Sequence, residues 1–147
     1  MNRVANGARL IIPDHADLWA EYMTGANYNT VKYTGSDHWG NRGRFFFGRS
    51  DMFRDLPLRQ SMNWEYQVFY HGDVWGLRLA PQGVETVVGL AGEHRDEILN
   101  VLSRIPFGTG QIIITTLRIM PVISSEKPQS AVAKKLFLNM LEYSQKE

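Results

Sequence analysis

The stretch Arg104–Ile119, RIPFGTGQIIITTLRI, decides how this chain is put together. Two glycines, Gly108 and Gly110, stand between a mixed apolar run and the unbroken block Ile112-Ile113-Ile114. A phosphate-cradling loop needs a strand, then GxxxxGK[ST], then a helix whose first amides face the anion. Here the glycines precede a strand, and GTGQIII offers no lysine. A dinucleotide fingerprint needs three glycines opening a helix, and that is absent too. What remains is a tight turn, where glycine supplies a positive φ without a steric penalty. Asn100–Phe107 is then the first arm of a hairpin and Gln111–Ile119 the second, with Ile112–Ile114 buried on both faces. The choice also settles EHRDEILNVLS. Its Ile98, Val101 and Leu102 would suit a helix and Ile98–Ile105 equally a strand; with Asn100–Phe107 as a hairpin arm, the helix loses.

Outward from the hairpin the pattern is α/β. ARLII (Ala8–Ile12) is a compact apolar run closed by Pro13, which predicts a buried strand. Asp14 is placed to cap a helix, with Asp17 near its positive end. HADLWAEYM sets Leu18, Trp19, Tyr22 and Met23 at helical spacing, and Gly25 can end the helix. Before the strand, VANG reads as the end of a helix with Gly7 at the stop position. From Ala26 to Ser50 periodicity is poor: NYNTVKYTG suits a strand, and SDHWGNRGRFFFGRSDMF an irregular loop with one short Phe-rich strand. WEYQVFYHGDVWGLRLA offers two strand-like runs separated by HGD, and VETVVGLAG a further strand. SAVAKKLFLNMLEYSQ is the clearest helix. Val132, Leu136 and Met140 form one row and Ala133, Phe137 and Leu141 the next, leaving Lys134, Lys135, Asn139 and Glu142 for solvent.

Composition sets the outer limits. At 147 residues the chain fits one domain with a real core. A net charge of +1 gives no reason to expect nucleic acid or an anionic membrane as partner. No apolar run approaches the roughly 20 residues that span a bilayer, and the N-terminal apolar segment is too short for a signal peptide. Compartment stays open, with the cytoplasm favoured. The absence of cysteine removes disulfides, thiolate metal sites and a cysteine nucleophile.

On three segments the chain resembles the C-terminal glutamine-amidotransferase-like, flavodoxin-like domain of certain family 2 glycoside hydrolases, the β-galactosidase-like proteins. RIPFGTGQIIITTL resembles their VIPYGKGKIILSTL type of hairpin, MFRDLPLRQSMNWEYQVFY their stretch around MNWEYQ, and AVAKKLFLNMLEYSQ their closing helix. The likeness runs from about Ala8 to Tyr143. Thr109 stands where the family has lysine, and Asp55 where it has the glycine before LP. The resemblance implies a three-layer flavodoxin-like α/β sandwich over residues 1–147. Its sheet is mostly parallel and ends in an antiparallel hairpin and a closing helix. It also implies that the domain's first strand–helix units are missing. Such a domain is not itself catalytic: the glycosidase carboxylate pair lies in a separate barrel, and nothing here maps onto it. Glutamine hydrolysis needs a cysteine on a strand-to-helix elbow, which composition rules out.

GEHRDE, DHAD and SDHW supply histidines and carboxylates, yet none has the HExxH spacing, and neither a metal nor a cofactor is expected. A serine hydrolase would need a GxSxG elbow; TGSDH and GRSDM lack it, and no catalytic residue is assigned. For sugar binding, the candidates are Trp39 and Arg44 in a polar loop with Asp37, Asn41 and Arg42, and Trp64 with Asn63 and Glu65. The expected role is a structural or assembly domain of a carbohydrate-active hydrolase. Its partners would be a second copy or other glycosidase domains, with contacts near Ala8–Ile12 or Trp64–Tyr70. A sugar-binding module is the alternative, and a small independent hydrolase comes third.

Overall fold

A computed structural model describes residues 1–26, 33–37, 44–47, 51–57, 64–69, 76–79, 83–91 and 97–143. In chain order the elements are α1 (Asn2–Ala5), β1 (Arg9–Ile12), α2 (Ala16–Gly25), β2 (Tyr33–Asp37), β3 (Arg44–Phe47), β4 (Gly76–Leu79), β5 (Glu85–Ala91), β6 (Ile98–Phe107), β7 (Gly110–Thr115), α3 (Ile119–Ile123) and α4 (Ser130–Tyr143). Short 3₁₀ segments occupy Asp51–Phe53 and Trp64–Phe69.

The hairpin is the centre of the molecule. β6 and β7 pair antiparallel from Leu102↔Thr115 to Phe107↔Gly110, so Gly108 and Thr109 alone form the loop. Gly108 has φ 61°, whereas Thr109 is not left-handed. A glycine with positive φ at the first loop position is the signature of a type II′ turn. Gly110 serves differently. Its φ is ordinary, but a Cβ there would run into the carbonyls of Val4 and Ala8. The turn is held from below by α1, whose Ala5 carbonyl accepts from the Thr109 amide at 3.0 Å and hydroxyl at 3.1 Å. α1 itself stops at Gly7, φ 102°, with Gly7 N–H bonded to Val4 O and Ala8 N–H to Arg3 O. Those two bonds are a Schellman motif, the stop that VANG predicts.

The sheet corrects the expected fold. Among the described strands only β1 and β7 run parallel, in register Leu10↔Ile112 and Ile12↔Ile114. The pairs β6–β7, β5–β6, β3–β5, β4–β6 and β2–β4 are all antiparallel. The described strands therefore form a mixed, mainly antiparallel sheet of seven, not the mostly parallel sheet of a three-layer flavodoxin-like sandwich. For β6–β7 and β5–β6 the reason is connection length. A parallel crossover takes about a dozen residues or more. Neither the two-residue turn between β6 and β7 nor the stretch from Ala91 to Ile98 has room for one.

β6 is the axis. Leu102 faces Val88 on one edge and Thr115 on the other, while Asn100 faces Gly89 and Leu77. β5 thus lines one edge, and β7 then β4 share the opposite edge. Two apolar clusters result. One gathers Leu99, Val101, Leu102 and Ile113 with Met52, Phe53, Tyr66, Phe69, α3 and the Ala133, Leu136 and Met140 row of α4. The other gathers Ile105, Phe107, Ile112 and Ile114 with Val4, Ile12, Ala16, Ala20 and Met23. Successive isoleucines of β7 enter opposite clusters, so the block is buried on both faces as its sequence predicts.

Four local expectations change. Trp64–Phe69 is 3₁₀ rather than strand, because Tyr66 and Phe69 enter the same cluster three residues apart, with rings 5.7 Å apart and nearly perpendicular. The second hairpin arm ends at Thr115, and Ile119 opens α3. Asn139 is buried, not solvated: its amide donates to Met52 O at 3.0 Å and Arg54 O at 2.8 Å, tying α4 to the first 3₁₀ segment. Asp14 does not cap α2 through a later amide. Its carboxylate accepts from His15 N–H at 2.9 Å, and His15 is the N-cap, held left-handed at φ 51°. The HGD turn and most of NYNTVKYTG lie outside the described residues.

Candidate interaction surface

The sequence sets Leu18, Trp19, Tyr22 and Met23 of α2 at helical spacing, and the structure puts them on two sides. Met23 is buried with Ala16 and Ala20, whose small side chains let the helix sit close on Ile12, Ile112 and Ile114. Leu18, Trp19 and Tyr22 lie on the other side and remain 58%, 41% and 57% exposed. Trp19 and Tyr22 meet edge to face at 6.1 Å. A helix apolar on both sides has one face too many for a chain in water.

That outer face borders a groove of about 650 Å³ lined by Met1, Val4, Leu10, His15, Leu18, Trp19 and Tyr22. Its floor is the second cluster seen from outside: Val4 from α1, Leu10 from β1. Its size falls within the range of ligand and peptide clefts, and its lining is apolar except for His15. His15 is exposed, with Nε2 3.9 Å from the Asp14 carboxylate. The left-handed backbone at His15 turns the chain from β1 directly into α2 and sets the imidazole at the groove rim, a conformation histidine tolerates better than most residues.

Beside the groove, β1 ends the described strand order. It pairs with β7 on one side, and no described strand lies on the other. The Ala8 carbonyl accepts from Gln111 N–H, which points it at β7. Backbone groups of successive strand residues alternate in direction, so Leu10 and Ile12 also face β7. An apolar groove flanked by exposed aromatic side chains is a candidate surface for a partner.

The sugar candidates fall elsewhere. Trp39 lies outside the described residues, Arg44 opens β3 opposite Ala91, and Trp64 opens the 3₁₀ segment that packs near α3. Glu65 is half-buried beside Tyr66, which faces the core. Burial, and then the Glu65 carboxylate, push the Tyr66 phenol well above its ordinary pKa, and its hydroxyl donates to Pro57 O at 2.7 Å. Of the histidine–carboxylate segments, Glu97 is engaged by Arg78 through both carboxylate oxygens, at 2.8 and 3.2 Å. His38, His71 and His94 lie outside the described residues. Among the described residues no three His, Asp or Glu side chains gather as a metal site, and no helix is long and apolar enough to cross a membrane. Buried Asn100 is satisfied within the sheet, accepting from Thr86 and Ser103 and donating to Leu77 O. Comparison of the chain with protein-family models, curated proteins and solved structures gives no match.

Proposed function

We propose that this chain is a non-catalytic assembly domain of the kind attached to family 2 glycoside hydrolases, and that it docks onto protein through the α1–β1–α2 face. The observation that carries the proposal is the outer face of α2, where Leu18, Trp19 and Tyr22 stand exposed beside an apolar groove. Aromatic side chains concentrated at one patch are the usual core of a protein interface. The groove favours apolar side chains over a sugar, because a pyranose would need several carboxylate or amide partners and the lining offers one imidazole. The family part of the proposal draws support from Asp55. It holds φ 59°, a backbone that suits glycine, and the resembled family has glycine there. Without cysteine, thiol-based glutamine hydrolysis stays excluded.

A photoreactive phenylalanine analogue at Tyr22 tests the docking role in cells that make the chain at its natural level. The expected product is a covalent adduct with a polypeptide, whether this chain or another. No protein adduct, together with turnover of aryl glycosides by the purified chain, would overturn the proposal.

A further inference from the structure

We infer that the occupant of this groove is a basic amphipathic helix of a partner polypeptide. It lies along α2 with its apolar face in the groove and its lysines and arginines beside Asp14, Asp17 and Glu21. The inference rests on the docking role proposed above and names the chemistry of the partner.

The first argument is shape. Leu18, Trp19 and Tyr22 follow one another at helical spacing along α2, with His15 just ahead of them, and all four line the groove. From His15 to Tyr22 the helix rises about 10 Å, or two turns. A second helix can set residues i, i+3 or i+4, and i+7 against a stripe of that length, which is how amphipathic helices enter apolar grooves. Val4 and Leu10 form the facing floor. This mode of docking uses side chains alone and asks nothing of the backbone of β1.

The second argument is charge. Asp17 and Glu21 stand one turn apart, next to Leu18 and on the side of α2 away from Trp19. Asp14 stands just before the helix. Asp14 and Glu21 are exposed and Asp17 is half-buried. Against these three carboxylates, α1 and α2 together carry one arginine, Arg3, and no lysine. The apolar stripe is therefore bordered along α2 by negative charge. An occupant with cations down one side of its apolar face matches that border, and an acidic one is repelled. Nucleic acid and anionic membranes present phosphate and are repelled likewise.

The probe for this partner is a fluorescein-labelled peptide of about 14 residues, four turns, with leucines on one helical face and lysines on the other. Two peptides serve as comparisons: one with glutamate in place of lysine, and one of leucine and lysine scrambled so that the leucines share no face. In fluorescence anisotropy the wild-type chain should bind the leucine–lysine helix roughly ten-fold or more tightly than either comparison. Asp17→Lys/Glu21→Lys should reverse the preference between the lysine and glutamate helices, weakening the first by roughly ten-fold. The milder Asp17→Asn/Glu21→Gln should fall between. Tyr22→Ala should weaken binding, and Leu138→Ala, on the exposed side of α4, should not. Equal binding of the helical and scrambled peptides, or a lysine preference that survives charge reversal, would overturn the inference.

In cells, the adduct formed from Tyr22 should fall in yield when Asp17 and Glu21 are reversed, and its linked segment should be a basic amphipathic helix. Adducts that persist after reversal, or that join only copies of this chain, would show that the face docks protein but not this partner. No adduct from the wild type would remove the docking role itself.

Discussion

At the scale of single residues, backbone conformation separates two glycines that look alike in sequence. Gly108 needs its positive φ, and Gly110 needs the space a side chain would take from Val4 and Ala8. Gly108→Val should cost more than about 1 kcal/mol from left-handed strain alone. Gly110→Ala should cost about 1–3 kcal/mol from overpacking despite its ordinary φ. Thermal or urea unfolding of both variants checks this, and an unchanged Gly110→Ala would mean that α1 does not seat on the turn. Tyr66 gives a pH dependence whose sign follows from its raised pKa. The folded state holds the phenolic proton more tightly than the unfolded chain does. The contribution is therefore fully present below the ordinary tyrosine pKa of about 10, and is lost as pH rises toward the folded value. Wild-type stability should fall above about pH 10 more steeply than that of Tyr66→Phe, by up to about 1.4 kcal/mol per pH unit. Parallel slopes for the two proteins would show that the phenol is not held by burial and Pro57.

At the scale of elements, what could be read from the sequence depends on how locally each element is determined. The β6–β7 hairpin, the Gly7 stop of α1 and the long α4 rest on turn chemistry and periodicity within a few residues, and each is read from its own sequence. Strand direction is not local. A short link such as that between Ala91 and Ile98 forces antiparallel pairing, but β2–β4, β3–β5 and β4–β6 join strands far apart in sequence, where local pattern does not show direction. On α2 the helical spacing of Leu18, Trp19, Tyr22 and Met23 does not by itself show which of them meet the sheet. Large apolar residues draw attention, yet close approach to the sheet selects Ala16 and Ala20, so Leu18, Trp19 and Tyr22 face out. The helix pattern leaves Asn139 for solvent because nothing in it shows the Met52 and Arg54 carbonyls it meets. The two-sided α2 makes a direct prediction. In dilute solution, Trp19→Ala should shift unfolding free energy by no more than about 0.5 kcal/mol, as exposed substitutions do. Ala20→Leu should cost about 1–3 kcal/mol. The reverse order would put Trp19 in the core and remove the candidate surface.

At the scale of the whole molecule, the two faces of the sheet are covered unequally. One carries α3, α4 and both 3₁₀ segments; the other carries α1 and α2. Among the described residues the lighter cover lies beside β1, and the exposed aromatics stand there too. These features meet at one place, the face on which the docking proposal rests. Photocrosslinking from that face tests the proposal most directly. A photoreactive residue at Leu18, Trp19 or Tyr22 should give polypeptide adducts, and one at Leu138, exposed on α4, should not. Equal adduct yields from the two faces, or none from α2, would show that this face is not where the chain docks.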